Sequence, residues 1–491
     1  MSEKHVNIVW FCTDQQRWDT IHCMGNPYIE TPNLDRLAAS GVAFANCYTQ
    51  SPVCTPSRAC FLTGRYPRTT KVFYNGNDNF PKDETLVTRL FADRDYTCGL
   101  VGKLHLTSPQ GRMEKRTDDG YSFFKWSHHP HNDWPNGEND YQNWLRSKGK
   151  CWEEIYGGRY TSMSRWLPIE NPGFHGKEIG VPAELHQTTW CVEEAMEFIS
   201  QSEGKPWLIS INPFDPHPPL DPPQEYKDRL KVEDMPLPLW KEGELEHKPP
   251  HQQKDYVIGG QNGATDSITL LSEMDQREKI RDYYAEIELI DDQVGRLMDY
   301  LEETGQRENT VFIFTSDHGE MSGDHGLYWK GGYFYEGLVH VPLIISCPGT
   351  ILEGVVSNAL VELADLAPTI LEPAGYEVPD SMQGKSLAGL LKGEADIHIH
   401  KNSVYCEYYN CMMGCHEDIY GTMYYDGRYK LVNYAGKEWG ELYDLKEDPH
   451  EFENLWDRPD MAALRADLMK KSYDQAIMNN LDFSMDKKFE Y

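Results

Sequence analysis

Short continuous runs of apolar residues alternate along the chain with segments of helical periodicity. The apolar runs have the pattern of strands that are buried on both faces of a parallel sheet. They lie at residues 7–13, 207–212, 310–316 and 342–346. The helical segments lie at residues 31–41, 83–94, 186–201 and 277–304. This alternation predicts the α/β class, with a central, mostly parallel sheet sandwiched by helices.

The composition changes near residue 398. Beyond it, residues 403–408, 421–425 and 428–433 predict short antiparallel strands, an acidic turn region follows, and residues 460–480 predict a helix. We therefore expect a main α/β domain over residues 1–397 and a smaller α+β subdomain with a short antiparallel sheet over 398–491. Two aperiodic stretches, at about 112–182 and 213–265, predict irregular insertions into the main domain.

The formal net charge of −31 argues against nucleic acid or an anionic membrane as partner, since both bind through clustered Lys and Arg. No apolar run reaches the roughly 20 residues that would span a bilayer. The start of the chain runs directly into a strand-like segment, so we expect a cytoplasmic protein, or a periplasmic one if a signal peptide has been removed. The twelve scattered cysteines favour reduced thiols.

Polar residues follow two of the predicted strands. Asp14 and Gln15 come after the first strand, and Asp317 and His318 follow the strand at 310–316. In doubly wound sheets the carboxyl ends of the strands carry the ligand, and these oxygen and imidazole donors would together bind one divalent cation. Each pair alone is equally typical of an ordinary turn or helix N-cap. Two such pairs in one chain favour the metal site.

The segment SPVCTPSRACFLTGRYP, at residues 51–67, places Cys54 among small, rigid and basic residues. Thr55 as N-cap and Pro56 as first helical residue would put Cys54 just outside a helix N-terminus, where free N–H groups favour an anion. Arg58, four residues later, can turn back toward the same point. No Cys–His–Asn protease pattern surrounds this cysteine.

The CTPSR core, followed by LTGR at residues 62–65, resembles the signature of the type I sulfatases of the alkaline phosphatase superfamily. In that family the cysteine is oxidised to formylglycine (3-oxoalanine). The resemblance extends through TDQQR, TPNLDRLAASGVAF, VGKLHL, DPHPP, FTSDHGEMSGDHGLYWK and RYKLV…ELYDLKEDPHEFENL. It implies an alkaline-phosphatase-like fold with the catalytic domain at 1–397, and a formylglycine-generating maturase that acts on CTPSR.

The resemblance also implies a ligand set for the metal. Cys54, as formylglycine hydrate, would supply the nucleophilic hydroxyl and contact one divalent cation, Ca²⁺ or Mn²⁺. The other expected ligands are Asp14, Gln15, Asp317 and His318.

The remaining catalytic residues are assigned from the same resemblance. Arg58 and Lys103 would hold the formylglycine and the sulfate oxygens. His105 would accept a proton from the second hydroxyl, and His217 and Lys330 would protonate or stabilise the leaving alcohol. The expected substrate-binding residues are Asn75, Lys103, His217 and Lys330. Taken singly, these lysines and histidines are equally typical of solvated or structural positions.

Two positions depart from the commoner family pattern, which has Asp-Asp after the first strand and Asp-Asn in the second cluster. Here they are Asp14-Gln15 and Asp317-His318. An amide removes one negative charge from the metal shell, and an imidazole moves the preference from Ca²⁺ toward Mn²⁺. These choices resemble the branch that contains phosphonate monoester hydrolases and choline-sulfatase-like enzymes.

The resulting expectation is an enzyme that hydrolyses a sulfate monoester, either a small molecule or an oligosaccharide. Hydrolysis of phosphonate monoesters or phosphodiesters at the same site is one alternative. A catalytically inactive anion-binding homologue, in which Cys54 stays a thiol, is another. The aromatic and polar content of the insertions favours a carbohydrate sulfate.

Two further clusters receive structural interpretations. The aromatic segment at 121–144 is expected to form a substrate wall, a lid or a homo-oligomer contact, and a second metal at His128, His129 and His131 is disfavoured. The second cluster contains three cysteines and one histidine and lacks a fourth cysteine, so these side chains are expected to pack in the protein interior. Its members are Cys406, Cys411, Cys415 and His416.

Overall fold

The structure is a computed structural model. It describes residues 5–109, 113–129, 139–156, 180–202, 204–263, 265, 267–412 and 415–481. Much of the insertion predicted at 112–182, including His131, lies outside these described residues.

Nine of the described strands form one large sheet in the order β4-β3-β5-β1-β6-β8-β2-β7, with β9 paired to β2. These strands are β1 (Asn7–Thr13), β2 (Gly41–Tyr48), β3 (Thr97–Gly102), β4 (Phe123–Trp126), β5 (Trp207–Asn212), β6 (Thr310–Ser316), β7 (His340–Val341), β8 (Leu343–Ser346) and β9 (Val355–Glu362). The pairs from β4 to β6 are all parallel, whereas β8 runs antiparallel to both β6 and β2. The predicted mostly parallel sheet is confirmed.

The described residues form fifteen α-helices, several of which cover the two faces of this sheet. They are α1 (Pro32–Ala39), α2 (Cys54–Thr63), α3 (Pro67–Thr70), α4 (Val87–Ala92), α5 (Asp140–Ser147), α6 (Trp152–Tyr156), α7 (Gln187–Ser200), α8 (Gln224–Lys227), α9 (Pro250–Ile258), α10 (Gly260–Gly263), α11 (Glu273–Glu303), α12 (Glu336–Val339), α13 (Leu366–Leu371), α14 (Ala388–Leu391) and α15 (Ala462–Met478). Alternate residues of β1 point to opposite faces, so that Trp10 packs with α2 and α4 and Phe11 packs with α1, α7 and α11. The predicted helical sandwich is therefore confirmed.

Five strands of the large sheet were not predicted from the sequence: β2, β3, β4, β7 and β9. Cys and Gly interrupt the apolar pattern of β2 and β3, and exposed positions alternate with buried ones along β9. The helix expected at 83–94 is shorter and covers only Val87–Ala92. The insertions are not wholly irregular, because the first contributes edge strand β4 and the second carries α8, α9 and α10.

The C-terminal part folds around a four-stranded antiparallel sheet in the order β10-β11-β12-β13. These strands are β10 (Val404–Tyr409), β11 (Tyr420–Tyr425), β12 (Tyr429–Tyr434) and β13 (Gly440–Asp444). Helix α15 packs on this sheet through Leu468 and Ala476. The fourth strand, β13, lies just before the acidic stretch that was predicted to be a turn region, and its edge pairing with β12 is the tertiary contact that makes it a strand.

Two further observations concern the whole described chain. No helix within it combines the length and the apolar character that a membrane crossing demands. All twelve cysteines are free thiols, and most of them are buried.

A buried charge cluster joins the end of β9 to the segment that leads into the C-terminal sheet. Lys401 Nζ lies 2.6 Å from Asp365 Oδ1 and also contacts Glu362. Asp365 is fully buried, and its Oδ1 also accepts the Lys385 N–H at 2.7 Å. Burial raises the pKa of Asp365, but Lys401 and His400 outweigh that effect and lower the pKa to about 2.

We expect Lys401→Met to lower the free energy of unfolding by about 3–5 kcal/mol, because it removes the lysine that pairs with two buried carboxylates. Chemical denaturation at pH 7 measures this loss. Lys470→Met is the matched control, because its side chain is 74% exposed and its pair with Asp474 should contribute under about 1 kcal/mol. Equal stability of the two variants would contradict the conclusion that the buried ion pairs of Lys401 stabilise the fold.

The difference in unfolding free energy between wild type and Lys401→Met should depend on pH. The folded-state pKa of Asp365 is below the unfolded value of about 3.9, so the pair stabilises the protein above that value. Its contribution is lost as pH falls from about 4 toward about 2. The gap in unfolding free energy between wild type and Lys401→Met should therefore narrow over this range.

Candidate active site

The carboxyl ends of four neighbouring parallel strands meet at one edge of the large sheet. The register aligns Thr13 of β1 with Ser316 of β6, and Gly102 of β3 with Asn212 of β5. The residues that follow these strands therefore lie side by side. They include most of the residues singled out in the sequence: Asp14, Gln15, Lys103, His105, His217, Asp317 and His318.

Backbone packing at this edge depends on a glycine. Gly102 has a φ of +99°, and a Cβ atom at this position would lie 2.0 Å from the Asn212 carbonyl oxygen. The Lys103 N–H donates to that same carbonyl at 2.8 Å. Only glycine permits this close approach, which sets the position of Lys103.

Cys54 lies in the first turn of α2 and not outside the helix as predicted. Val53 is the N-cap, and Pro56 falls at the third helical position, where its missing N–H has no helical partner to lose. Thr55 does not cap the helix; its hydroxyl instead accepts the Gly76 N–H at 3.0 Å. The helix N-terminus still faces the strand ends, so the predicted anion-favouring geometry is retained.

The Cys54 sulfur is surrounded by cationic and metal-ligating groups. It lies 3.1 Å from His318 Nε2, 3.7 Å from Asp14 Oδ1 and 3.5 Å from Lys103 Nζ. Lys330 Nζ donates to the sulfur at 3.0 Å. Only 1% of the residue is exposed, so these contacts are made away from bulk water.

These neighbours change the acidity of the thiol. Burial and Asp14 both raise the pKa of Cys54, but Lys103, Lys330 and His318 outweigh them, so that the pKa is lowered. A lowered pKa at a buried position shows that the surrounding field is positive where the thiol lies. The same field favours an anionic substrate, against the net charge of −31.

Arg58 links the helix to two strand ends. Its Nε donates to Asp317 Oδ2 at 2.8 Å, Nη1 donates to the Lys103 carbonyl at 2.9 Å, and Nη2 lies 3.6 Å from Asp14 Oδ2. The guanidinium thus forms ion pairs with both carboxylates of the expected metal shell, and two of its three nitrogens are hydrogen-bonded to site residues. Arg58 was expected to hold the formylglycine and the sulfate oxygens. In the structure its side chain also binds and orients the two carboxylates.

The side chains of Asp14, Cys54, Asp317 and His318 can each present one ligand atom within 4.8 Å of the others. The Nδ1–H of His318 donates to the Gly319 carbonyl at 2.8 Å, which leaves the Nε2 lone pair facing the cluster. This tautomer, with two carboxylates and a sulfur position, fits a divalent cation. The residues present therefore suit the metal that the sequence predicts.

Gln15 joins this cluster through its amide. Its Oε1 accepts from Lys330 Nζ at 2.7 Å, and its Nε2 donates to Glu320. The amide is therefore oriented with its oxygen toward the cations, as a metal ligand requires. Glu320, which follows two residues after His318, was not singled out from the sequence, where nothing in its spacing marks it as an orienting residue.

His105 and His217 flank the cluster from the ends of β3 and β5. Burial, then Lys103 and His128, hold the pKa of His105 well below its usual range, and its Nδ1 has no hydrogen-bond partner among the described residues. Burial and Lys330 likewise depress the pKa of His217, whose Nδ1 donates to the Pro218 carbonyl at 2.6 Å. Both imidazoles are neutral at pH 7 and can accept a proton.

The backbone around His105 is held by a buried carboxylate. Glu114 accepts the N–H groups of His105 at 2.7 Å, Leu106 at 2.9 Å and Thr107 at 3.3 Å, and the Trp126 indole N–H at 2.9 Å. Sequence reasoning missed this residue, which lies in the aperiodic insertion and carries no motif. Its function is to fix the loop on which His105 lies.

Asn75 contacts Thr55, the residue that follows Cys54. Its side-chain oxygen is 3.4 Å from the Thr55 hydroxyl, and its N–H donates to the Cys411 carbonyl at 2.7 Å. The C-terminal subdomain therefore borders the site at this point. Asn75 is placed at the rim, one residue removed from Cys54.

A cavity of about 360 Å³ adjoins the cluster. The residues that line it include Pro218, which follows His217, Trp329, which precedes Lys330, and Glu320, which contacts Gln15. Other residues that line it are Pro219, Arg281, Tyr283 and Tyr328. This volume is within the range of pockets that bind small molecules.

Comparison with known proteins agrees with this arrangement. A family model described as Sulfatase matches residues 6–376, and one described as N-sulphoglucosamine sulphohydrolase, C-terminal, matches residues 323–477. The fold and site define a sulfuric ester hydrolase of the alkaline phosphatase superfamily. The chain belongs to the sulfatase family, and the resemblance stated from its sequence is confirmed.

Individual relatives cover nearly the whole chain. An arylsulfatase of Clostridium perfringens is 32% identical over 91% of this chain and 90% of its own length. An N-acetylglucosamine-6-O-sulfatase of Bacteroides thetaiotaomicron is 28% identical over 95% of this chain and 85% of its own length. The crystal structure of a phosphonate monoester hydrolase of Agrobacterium radiobacter superposes with a TM-score of 0.80 at 26% identity, covering 98% of this chain and 97% of that one.

We expect Glu114→Ala to destabilise the protein by at least about 2 kcal/mol, because it leaves three backbone N–H groups and an indole N–H without their acceptor. Chemical denaturation measures the loss. Asp118→Ala, four residues along and 84% exposed at its side chain, is the control and should change stability by under about 0.5 kcal/mol. If Glu114→Ala unfolded no more readily than this control, the conclusion that Glu114 fixes the His105 loop would be wrong.

Proposed function

We propose that this protein hydrolyses a sulfate monoester to an alcohol and inorganic sulfate, with Cys54 as the precursor of a formylglycine nucleophile. The observation that carries the proposal is the placement of Cys54 at a helix N-terminus, with Lys103, Lys330 and His318 within 3.5 Å of its sulfur. Nucleophile, cations and metal ligands are thus gathered at one buried point.

The metal and the modified residue have separate contributions. Asp14, Gln15, Asp317 and His318 would hold one divalent cation, Ca²⁺ or Mn²⁺, together with residue 54. When present, the cation lowers the pKa of a bound hydroxyl and offsets charge on the sulfuryl oxygens, and formylglycine hydrate supplies that hydroxyl. The imidazole of His318 and the amide of Gln15 favour Mn²⁺ over Ca²⁺.

The chain's own cations bind and orient the anion. In transfer of a sulfuryl group, charge is spread over the equatorial oxygens, so fixed cations stabilise the transition state more than they stabilise free substrate. Lys103 and Lys330 both contact the Cys54 sulfur, and both are buried, where such interactions are strong. Arg58 keeps Asp14 and Asp317 in position for this arrangement.

Proton movement falls to the two flanking histidines and Lys330. The S–O bond of the ester breaks, and the alcohol oxygen leaves with its electron pair and needs a proton. His217 and Lys330 are the donors we assign, since binding of an anion raises the depressed pKa of His217. His105, neutral and with an open Nδ1, is the acceptor for the proton that the nucleophilic residue must release.

The cavity that adjoins the cluster is the expected place for the alcohol half of the substrate. Its aromatic residues Tyr283, Tyr328 and Trp329 suit a sugar ring, whose apolar face stacks on aromatic side chains. The N-acetylglucosamine-6-O-sulfatase among the relatives supports the same class. We therefore propose a carbohydrate sulfate as substrate.

A second candidate is hydrolysis of a phosphonate monoester. The superposition on the Agrobacterium phosphonate monoester hydrolase favours it, as does the Asp14-Gln15 and Asp317-His318 pattern. A sulfate monoester and a phosphonate monoester each carry one negative charge, so the cations of the site do not distinguish them. Family membership favours the sulfate.

The nucleophile is tested on protein produced together with a formylglycine-generating maturase. Peptide mass spectrometry over residues 51–65 should show the aldehyde at position 54. Cys54→Ala should lower kcat/KM for an aryl sulfate by at least about 10³-fold while the unfolding transition is retained. Cys60→Ala, which removes a second buried cysteine from α2, is the control and should keep activity. Full turnover by Cys54→Ala, or by protein whose Cys54 is entirely unmodified, would rule out the mechanism.

The substrate class is tested by comparing kcat/KM for the sulfate and the phenylphosphonate ester of 4-nitrophenol, followed by a panel of sulfated sugars. We expect the sulfate to be hydrolysed at least about tenfold faster, a difference of about 1.4 kcal/mol in transition-state stabilisation. The reverse order would establish the second candidate. Inactivity of fully modified enzyme on every ester would favour the anion-binding homologue instead.

A further inference from the structure

A second group of metal-ligating side chains lies outside the site described above. His186, Asp215 and Asp221 can each present one ligand atom within 4.8 Å of the other two. His186 Nδ1 lies 3.4 Å from Asp215 Oδ2, and its Nε2 lies 3.4 Å from Asp221 Oδ1. No more than 4% of any of the three residues is exposed.

A third buried carboxylate adjoins this group. Glu286, on α11, accepts the Asp221 N–H at 2.7 Å through Oε1. Its other oxygen, Oε2, is fully buried and has no hydrogen-bond partner among the described residues. A buried carboxylate oxygen without a partner is costly, and so it points to a ligand at this position.

We propose that His186, Asp215, Asp221 and Glu286 form a second, structural metal site for a divalent transition-metal ion, Zn²⁺ or Mn²⁺. His186, Asp215 and Asp221 supply one imidazole and two carboxylates within reach of one ion, and Glu286 is the adjoining carboxylate that would close a tetrahedral Zn²⁺ shell by turning its free oxygen inward. Ca²⁺ prefers six to eight oxygen ligands, and Mg²⁺ retains several waters. A buried group of four donors with an imidazole among them suits neither ion.

The electrostatics of the group agree with a cation. Burial raises the pKa of Glu286, and Asp215 and Asp221 raise it further. Three neighbouring buried carboxylates repel each other when ionised, and a dication would offset that repulsion more fully than His186, whose pKa Asp215 and Asp221 raise.

The position of the site gives it a function. His186 is the N-cap of α7, Glu286 lies on α11, and Asp215 and Asp221 bracket the segment that carries His217. A metal ion here would fasten the His217 loop to both helices. The Asp215 carbonyl also accepts the Asp14 N–H at 3.2 Å, so the loop is tied to the first strand end as well.

The proposal is tested by counting metal ions per chain. Full-length protein is expressed with Zn²⁺ and Mn²⁺ present, dialysed extensively, and analysed by inductively coupled plasma mass spectrometry. Wild type should hold two equivalents. Asp317→Asn, which removes a ligand of the first site, and Glu286→Gln should each hold one, and the double variant none.

Asp291→Asn is the matched control for Glu286→Gln. Asp291 is a buried carboxylate of the same helix, but it accepts the N–H groups of Asn33 and Leu34 on α1. It should keep both equivalents. One equivalent in wild type, or a second equivalent that survives in Glu286→Gln, would overturn the proposal.

Two measurements keep the test decisive if a variant does not fold. Anomalous diffraction at the zinc and manganese edges from wild-type crystals should give a peak between His186 and Asp221, and its absence at full loading would refute the site. In Asp317→Asn, where the first site is disabled, a chelator should lower Tm by several degrees. An unchanged Tm and metal count there would equally refute it.

Discussion

The buried ion pair between Arg58 and Asp317 is the contact on which the site depends. Arg58 belongs to α2, which carries Cys54, whereas Asp317 follows β6 and is a candidate metal ligand. The same guanidinium holds the Lys103 carbonyl at the end of β3. One side chain thus fastens the helix that carries Cys54 to two strand ends, and loss of its charge would leave Asp317 buried without its cation.

Around this contact, the strands of the sheet determine where the site residues lie, and the loops that follow the strands carry the reactive side chains. Parallel register brings Asp14, Lys103, His217 and Asp317 to one edge although they are scattered over three hundred residues. Hydrogen bonds to the backbone then set their orientation. The Gly319 carbonyl holds the proton of His318 on Nδ1, as the Pro218 carbonyl does for His217.

The sequence predicted the parts of this arrangement that follow from strong local patterns. The strands before Asp14 and Asp317 are continuous apolar runs, and the structure gives both with the predicted bounds. Strand β3 was missed because its glycines are required for backbone approach and interrupt the apolar pattern. Glu114 and Glu320 were missed because their function arises only from contacts made across the fold.

The conformation of Gly102 bears on how such proteins diversify. Because no side chain can be accommodated beside the Asn212 carbonyl, the backbone that presents Lys103 tolerates almost no drift in sequence. The residues that line the adjoining cavity lie on other elements, among them Gln224 of α8 and Glu278 of α11. New substrate preferences can therefore arise by changes in the cavity lining while this edge of the sheet stays unaltered, so that one rigid edge serves many different esters over evolutionary time.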